Sequence, residues 1–226
     1  MSDRILVINP NRSIPCTEGI AAALAPLGPR FRVTRLAEGP PAIVGWRDWF
    51  QVAEPLCRMV EAEAAPAYVI ACVSDPGLEA IRTATPCPVL GMFRCAVATA
   101  LAAAPRLGVM GFVAASEARQ RRILQAMGVE ASLAAWAPLD LPMEVLTAPP
   151  GTSDAAAAQA RIQAVARALA ASGAEVIILG CTGLAGHAAA AAAASGLPVI
   201  EPCHAAGAMA LRALADPAAL PAMLDA

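Results

Sequence analysis

Short apolar runs recur along the chain at residues 5–8, 31–36, 68–72, 89–91, 107–110, 176–179 and 199–200, with a weaker one near 130–133. Stretches of helix length separate them, which is the βαβ rhythm of parallel sheets covered by helices. The pattern therefore predicts eight strands in an α/β fold. Helix signals fall in between. Ser116 precedes a segment over 117–127 that stops at Gly128, and Ser153-Asp154 opens a long segment ending at Gly173. The alanine run 188–194 combines high helix propensity with a Ser195-Gly196 stop, so it reads as helix and not as linker. A helix over 47–63 is expected to use Trp46, Trp49 and Phe50 for its packed face, although the same residues would also make an apolar lid over a substrate.

The two halves of the chain repeat one another. Pro88-Val89-Leu90 and the residues as far as Leu101 line up with Pro198-Val199-Ile200 and the residues as far as Leu211, which pairs Arg94 with His204 and Gly91 with Glu201. Val69-Ile70-Ala71-Cys72 lines up with Ile178-Leu179-Gly180-Cys181, and Gly77-Leu78 and Gly183-Leu184 follow the two cysteines. The beginnings agree as well, since Arg4-Ile5-Leu6-Val7-Ile8 resembles Arg106-Leu107-Gly108-Val109-Met110. Three matches in the same order point to duplication. The expected organisation is a first lobe over 1–95, completed by 205–226, and a similar second lobe over 96–204. Pseudo-two-fold symmetry would relate the lobes and leave a site in the cleft between them.

Composition narrows the partners. A net charge of −2 and the lack of a Lys/Arg cluster remove the electrostatic footprint that nucleic acid or an anionic membrane requires, so a small molecule is the expected partner. Arg94, Arg167, Glu175 and His187 interrupt the longest apolar regions, and no membrane span is expected. The apolar run at 5–8 is too brief for a signal-peptide core and Asn9-Pro10-Asn11 ends it. Seven cysteines, an odd number without a close Cys-x-x-Cys pair, argue against a disulfide framework or a zinc knuckle and fit a reducing cytoplasm.

Two of those cysteines carry the candidate chemistry. Cys72 and Cys181 each close an apolar strand and precede a helix-forming segment, which places them at the carboxyl ends of parallel sheets, where open α/β folds bind ligands. Set on opposite sides of one molecule, two thiols could invert a carbon centre, one taking a proton and the other returning one. A helix N-terminus beyond each strand would favour a thiolate. Cys16, Cys57, Cys87, Cys95 and Cys203 lack the repeat's support and read as packing residues. Asn9-Pro10-Asn11 is equally well explained as turn chemistry, and Asp75-Pro76 suits the start of the helix that follows it.

These motifs together resemble a known family. Ile8-Asn9-Pro10-Asn11, Gly39-Pro40-Pro41-Ala42-Ile43, the run Ala71-Cys72-Val73-Ser74-Asp75-Pro76-Gly77-Leu78 and the run Leu179-Gly180-Cys181-Thr182-Gly183-Leu184 are similar to hydantoin racemases of the aspartate/glutamate racemase superfamily. The resemblance spans nearly the whole chain. It implies two α/β lobes, no pyridoxal phosphate or other cofactor, no metal, a homo-oligomer, and Cys72 and Cys181 as the catalytic pair. By the same resemblance Asn9, Ser74 and the backbone around Val73, Thr182 and Gly183 would hold the carbonyl or ring nitrogens of a hydantoin or a relative such as allantoin. The chain departs from the family at Arg94, where a glutamate is common, and at Gly111-Phe112, where threonines often stand. Arg94 and His204 are therefore expected at the rim, with Arg94 suited to a substrate carboxylate. Amino-acid racemisation, maleate isomerisation and malonate decarboxylation are alternatives within the superfamily, and a two-lobed binding module is the alternative outside enzymes.

Overall fold

The computed structural model describes residues 3–215. Met1 and Ser2, which open the run weighed as a leader, and 216–226, the far end of the segment expected to complete the first lobe, lie outside the described residues. The chain divides into two compact units. One holds it as far as Cys95 and takes it up again from Cys203, and the other is Ala96–Pro202.

In the first unit β1 (Ile5–Asn9) lies between β2 (Phe31–Arg35) and β3 (Tyr68–Ile70), and β4 (Val89–Gly91) adds to β3, all in parallel. A central strand of a parallel sheet is covered on both faces, so its sequence is apolar throughout instead of alternating. All five residues of β1 are accordingly buried. The first unit's helices are α1 (Ile14–Leu24), α2 (Trp46–Gln51), α3 (Ala53–Ala62) and α4 (Leu78–Thr83). Leu6, Ile8, Leu56, Tyr68, Ile70 and Ile81 form its core.

The single helix expected over 47–63 is two helices that meet at Val52. Gly77, with φ +70°, explains the close packing at this junction: a Cβ there would stand 2.8 Å from Ala53 Cα, so the loop after β3 presses on the start of α3. The buried face passes to Leu56 and Val60 of α3, while Trp46 and Phe50 stay 38% and 57% exposed, which corrects the packed role expected for them.

From β4 the helix α5 (Met92–Ala103) leads into the second unit. There β5 (Leu107–Gly111) lies between β6 (Leu133–Pro138) and β7 (Val176–Gly180), with β8 (Val199–Ile200) beyond β7. The orders β2-β1-β3-β4 and β6-β5-β7-β8 are the same topology twice, as the sequence repeat predicts. The expected strand at 130–133 falls on a short 3₁₀ turn, Glu130–Ser132, and β6 runs later than predicted. Its alanine-rich, half-buried sequence is that of an edge strand, where an interrupted apolar pattern and a proline are tolerated. The second unit's helices are α6 (Glu117–Ala126), α7 (Met143–Leu146), α8 (Ser153–Ala171) and α9 (Ala188–Ser195), and α10 (Pro202–Ala215) leads back to the first unit. The cap of α8 is Thr152, whose hydroxyl accepts from the Ala155 N–H at 3.2 Å, one residue before the expected Ser153-Asp154. Among the described residues no helix is long and apolar enough to cross a membrane.

Candidate active site

A sheet of order 2-1-3-4 has a switch point where the chain turns to opposite sides of its first strand, and ligands bind in the crevice outside the carboxyl ends of those strands. In the first unit the switch lies between β1, which ends at Asn9, and β3, which Cys72 follows after one residue. In the second it lies between β5, which ends at Gly111, and β7, which Cys181 follows directly. Each sequence-predicted thiol thus stands at the switch point of its own unit, in a half-buried setting.

Around Cys72 the chain turns tightly. The Cys72 N–H donates to the Ile70 carbonyl at 3.0 Å, and the Asp75 N–H donates to the Cys72 carbonyl at 3.1 Å. Cys72 Sγ lies 3.4 Å from Ser74 Oγ. Val73 and Ser74 are buried, and the Ser74 carbonyl accepts from the indole N–H of Trp49 at 2.7 Å. Trp49 forms edge-to-face pairs with Trp46 and Phe50, so an aromatic cluster is tied to the Cys72 loop.

Asn9 is fully buried and bonded to its own turn. Its side-chain nitrogen donates to Asn11 Oδ1 at 3.1 Å and Thr17 Oγ1 at 3.0 Å, while its oxygen accepts from the Asn11 N–H at 3.2 Å. These are the bonds of an Asx turn leading into α1. Arg94 donates to Glu79 Oε1 at 2.5 Å, and its Nε lies 4.0 Å from an Asp75 oxygen. The guanidinium expected at the rim therefore already has carboxylate partners within its own unit.

Asp75 is not the cap of the helix that follows it. Its backbone is left-handed, with φ +44°, and α4 begins only at Leu78. The carboxylate instead crosses the sheet end to α5, where Oδ1 accepts from the Phe93 N–H at 2.7 Å and Oδ2 from the Arg94 N–H at 3.0 Å. Helix N-termini leave such amides without partners, and here a distant loop supplies the acceptor. Burial pushes the Asp75 carboxyl up to about 7, against the opposing pull of these two N–H donors and of Arg94. Partners so far away in sequence hid this role, and the signal that bears on it is the pairing of Gly91 with Glu201 in the repeat. A Cβ at Gly91 would stand 2.5 Å from the Asp75 carboxyl carbon.

Around Cys181 the Gly183 N–H donates to the sulfur at 3.3 Å, and Thr182–Leu184 form a buried 3₁₀ turn. Such a contact suits a sulfur bearing negative charge. The space beside Gly111 is filled: a Cβ there would lie 1.9 Å from Cζ2 of Trp136, so the ring occupies the place a side chain would take. His204 is exposed in the first turn of α10.

Among the described residues no cysteine forms a disulfide. Burial, reinforced by Asp75, pushes the Cys95 thiol up to about 12, and burial with Glu54 and Glu61 raises that of Cys57. Both stay protonated at neutral pH, which suits packing.

Comparison with known proteins bears on the family and the fold. The sequence profile described as Asp/Glu/hydantoin racemase matches residues 5–210. A hydantoin racemase of Paenarthrobacter aurescens is 32% identical over 210 residues, which cover 90% of this chain and 87% of that one. The structure of an allantoin racemase from Klebsiella pneumoniae superimposes with a TM-score of 0.85 at 30% identity, covering 95% of this chain and 88% of the other. An allantoin racemase from Pseudomonas fluorescens, at 24% identity and a TM-score of 0.84 over 94% of this chain and 91% of its own, shares the fold.

Proposed function

The chain belongs to the Asp/Glu/hydantoin racemase family, and from that premise we propose that it racemises a hydantoin or a close ureido relative such as allantoin, without a cofactor, through Cys72 and Cys181. The observation that carries this reading is the duplication of one thiol position. Each cysteine follows the third strand of its own four-stranded sheet, at the same point of the same topology.

The hydrogen on the stereocentre is acidified by the neighbouring ring carbonyl, and its removal leaves an enolate. A thiolate on one face takes that proton and a thiol on the other face returns one, so each turnover exchanges the roles of the two sulfurs and the reverse reaction needs no reset. The proton states belong to the pair and not to either residue alone. Val73, Ser74, Thr182 and Gly183 flank the thiols in sequence and are assigned to the substrate's polar edge. Asn9 and Arg94 enter this reading with side chains already bonded, and His204 from an exposed helix turn. We place the protein in the cytoplasm, where its thiols stay reduced.

The test offers single enantiomers of 5-substituted hydantoins, allantoin and free amino acids in deuterated water, following optical rotation and deuterium uptake at the stereocentre. Wild-type protein loses optical activity with incorporation of solvent deuterium, and Cys72→Ser and Cys181→Ser each abolish racemisation. Racemisation at the wild-type rate in either variant overturns the two-thiol mechanism, and reaction with free amino acids alone overturns the substrate class.

A further inference from the structure

The loop from Cys72 to Gly77 has no regular structure of its own, yet it is held at several points. The turn that carries Cys72 is closed by the Asp75 N–H on the Cys72 carbonyl. Asp75 then sends its carboxylate to the first amides of α5 and is itself only 2% exposed. Helix caps are ordinarily supplied by the residue at the helix's own start. Here the residue before α5 is Gly91, which has no side chain, and the space a Cβ would take is filled by Asp75. An ordinary cap would hold the helix alone, whereas this one holds the helix and the thiol loop to each other.

We infer that Asp75 is a positioning residue for Cys72: its carboxylate fixes the thiol loop to the amino end of α5 and thereby sets the sulfur for proton transfer. The assignment rests on the racemase reading above. The left-handed backbone is the second sign of it, because a non-glycine residue persists there only where its surroundings over-determine it. Glu79 and Arg82 of α4 and Arg94 and Cys95 of α5 are the charged or titratable groups around the carboxylate. Arg94 Nε lies 4.0 Å from a carboxylate oxygen, and Glu79 holds its guanidinium.

Asp75→Asn isolates the carboxylate, because asparagine matches aspartate in volume and in tolerance of left-handed backbone while turning one acceptor oxygen into a donor. Racemisation with deuterium uptake is measured from each enantiomer in deuterated water. Racemisation slows by about 100-fold in Asp75→Asn, the cost of misplacing a reacting group by an ångström, and it slows from both enantiomers because every inversion uses Cys72 either to take or to return the proton. Alkylation of the protein without substrate, followed by peptide mass spectrometry, finds Cys72 modified severalfold faster and Cys181 at its wild-type rate. Gly91→Ala, which displaces the carboxylate and leaves Asp75 in place, gives the same pattern and stands in if Asp75→Asn fails to fold. Racemisation at the wild-type rate, or an unchanged Cys72 alkylation rate in a folded variant, overturns the assignment. If wild-type protein exchanges no hydantoin or allantoin, the racemase reading falls separately, and the alkylation rates alone decide whether Asp75 sets Cys72.

Discussion

Gln120 donates its side-chain amide to the carbonyl oxygen of Gly180 at 3.0 Å, and so reaches from α6 to the residue before Cys181. The orientation of the amide follows from its other bond. An indole N–H only donates, and Trp136 Nε1 lies 2.6 Å from the Gln120 oxygen, which leaves the nitrogen for Gly180. Gln120 is buried, and both partners lose their bond when it is replaced by an apolar residue of similar size. Gln120→Leu is expected to cost about 1–3 kcal/mol, the penalty for leaving the buried Gly180 carbonyl unsatisfied. Urea unfolding measures the loss as a lower midpoint at unchanged slope, and a variant as stable as the wild type would refute the network.

Trp49 makes the corresponding tie on the other thiol loop. Trp49→Phe keeps a ring between Trp46 and Phe50 and removes only the N–H that reaches the Ser74 carbonyl. The expected loss is about 1–2 kcal/mol of stability, together with a lower rate for the proton transfer that depends on Cys72. Phe50→Leu, on the exposed side of the cluster, leaves stability nearly unchanged. Chemical denaturation of the two variants side by side checks the ranking.

What the sequence made legible divides along the range of the interactions. The central strands at 5–8, 107–110 and 176–179 were readable because burial on both faces makes them apolar without interruption, and the repeat located both cysteines by comparing the chain with itself. The edge strand β6 is not legible in its place because half-burial removes that signal from Leu133–Pro138. The junction at Val52 leaves no local signal because a loop distant in sequence, at Gly77, presses on Ala53. The local pattern makes Asp75 a cap for the same kind of reason: its amide partners come 18 and 19 residues later, and nothing local distinguishes a near helix start from a far one.

Crowding at Cys181 offers a third test. A Cβ on Gly183 would stand 2.7 Å from Met143 Sδ and 3.5 Å from the Cys181 sulfur. Gly183→Ala retains the N–H that points at the sulfur but forces the thioether aside, at an expected cost of about 1–2 kcal/mol for overfilling a packed site. Adding Met143→Ala returns the space and is expected to recover much of the stability and the racemisation rate. A double variant no better than Gly183→Ala would locate the damage in the backbone of the turn instead.

The buried Asp75 carboxyl makes stability depend on pH in a direction opposite to that of most aspartates. Its ordinary value is 3.8 and the fold raises it to about 7, so the folded state keeps a proton that the unfolded chain has already released. Between about pH 4 and pH 7 the unfolded state binds fewer protons at this site, and the free energy of unfolding falls as pH rises, by up to about 1.4 kcal/mol per pH unit from this group. Above about 7 the contribution levels off. Asp75→Asn cannot ionise, so the difference in unfolding free energy between wild type and variant, measured in urea from acid to neutral pH, declines with rising pH and then becomes constant. Parallel profiles for the two proteins would remove Asp75 as the source. The ionised carboxylate has both oxygens free to accept the Phe93 and Arg94 amides, so the state that best secures the Cys72 loop is the one that costs the fold most.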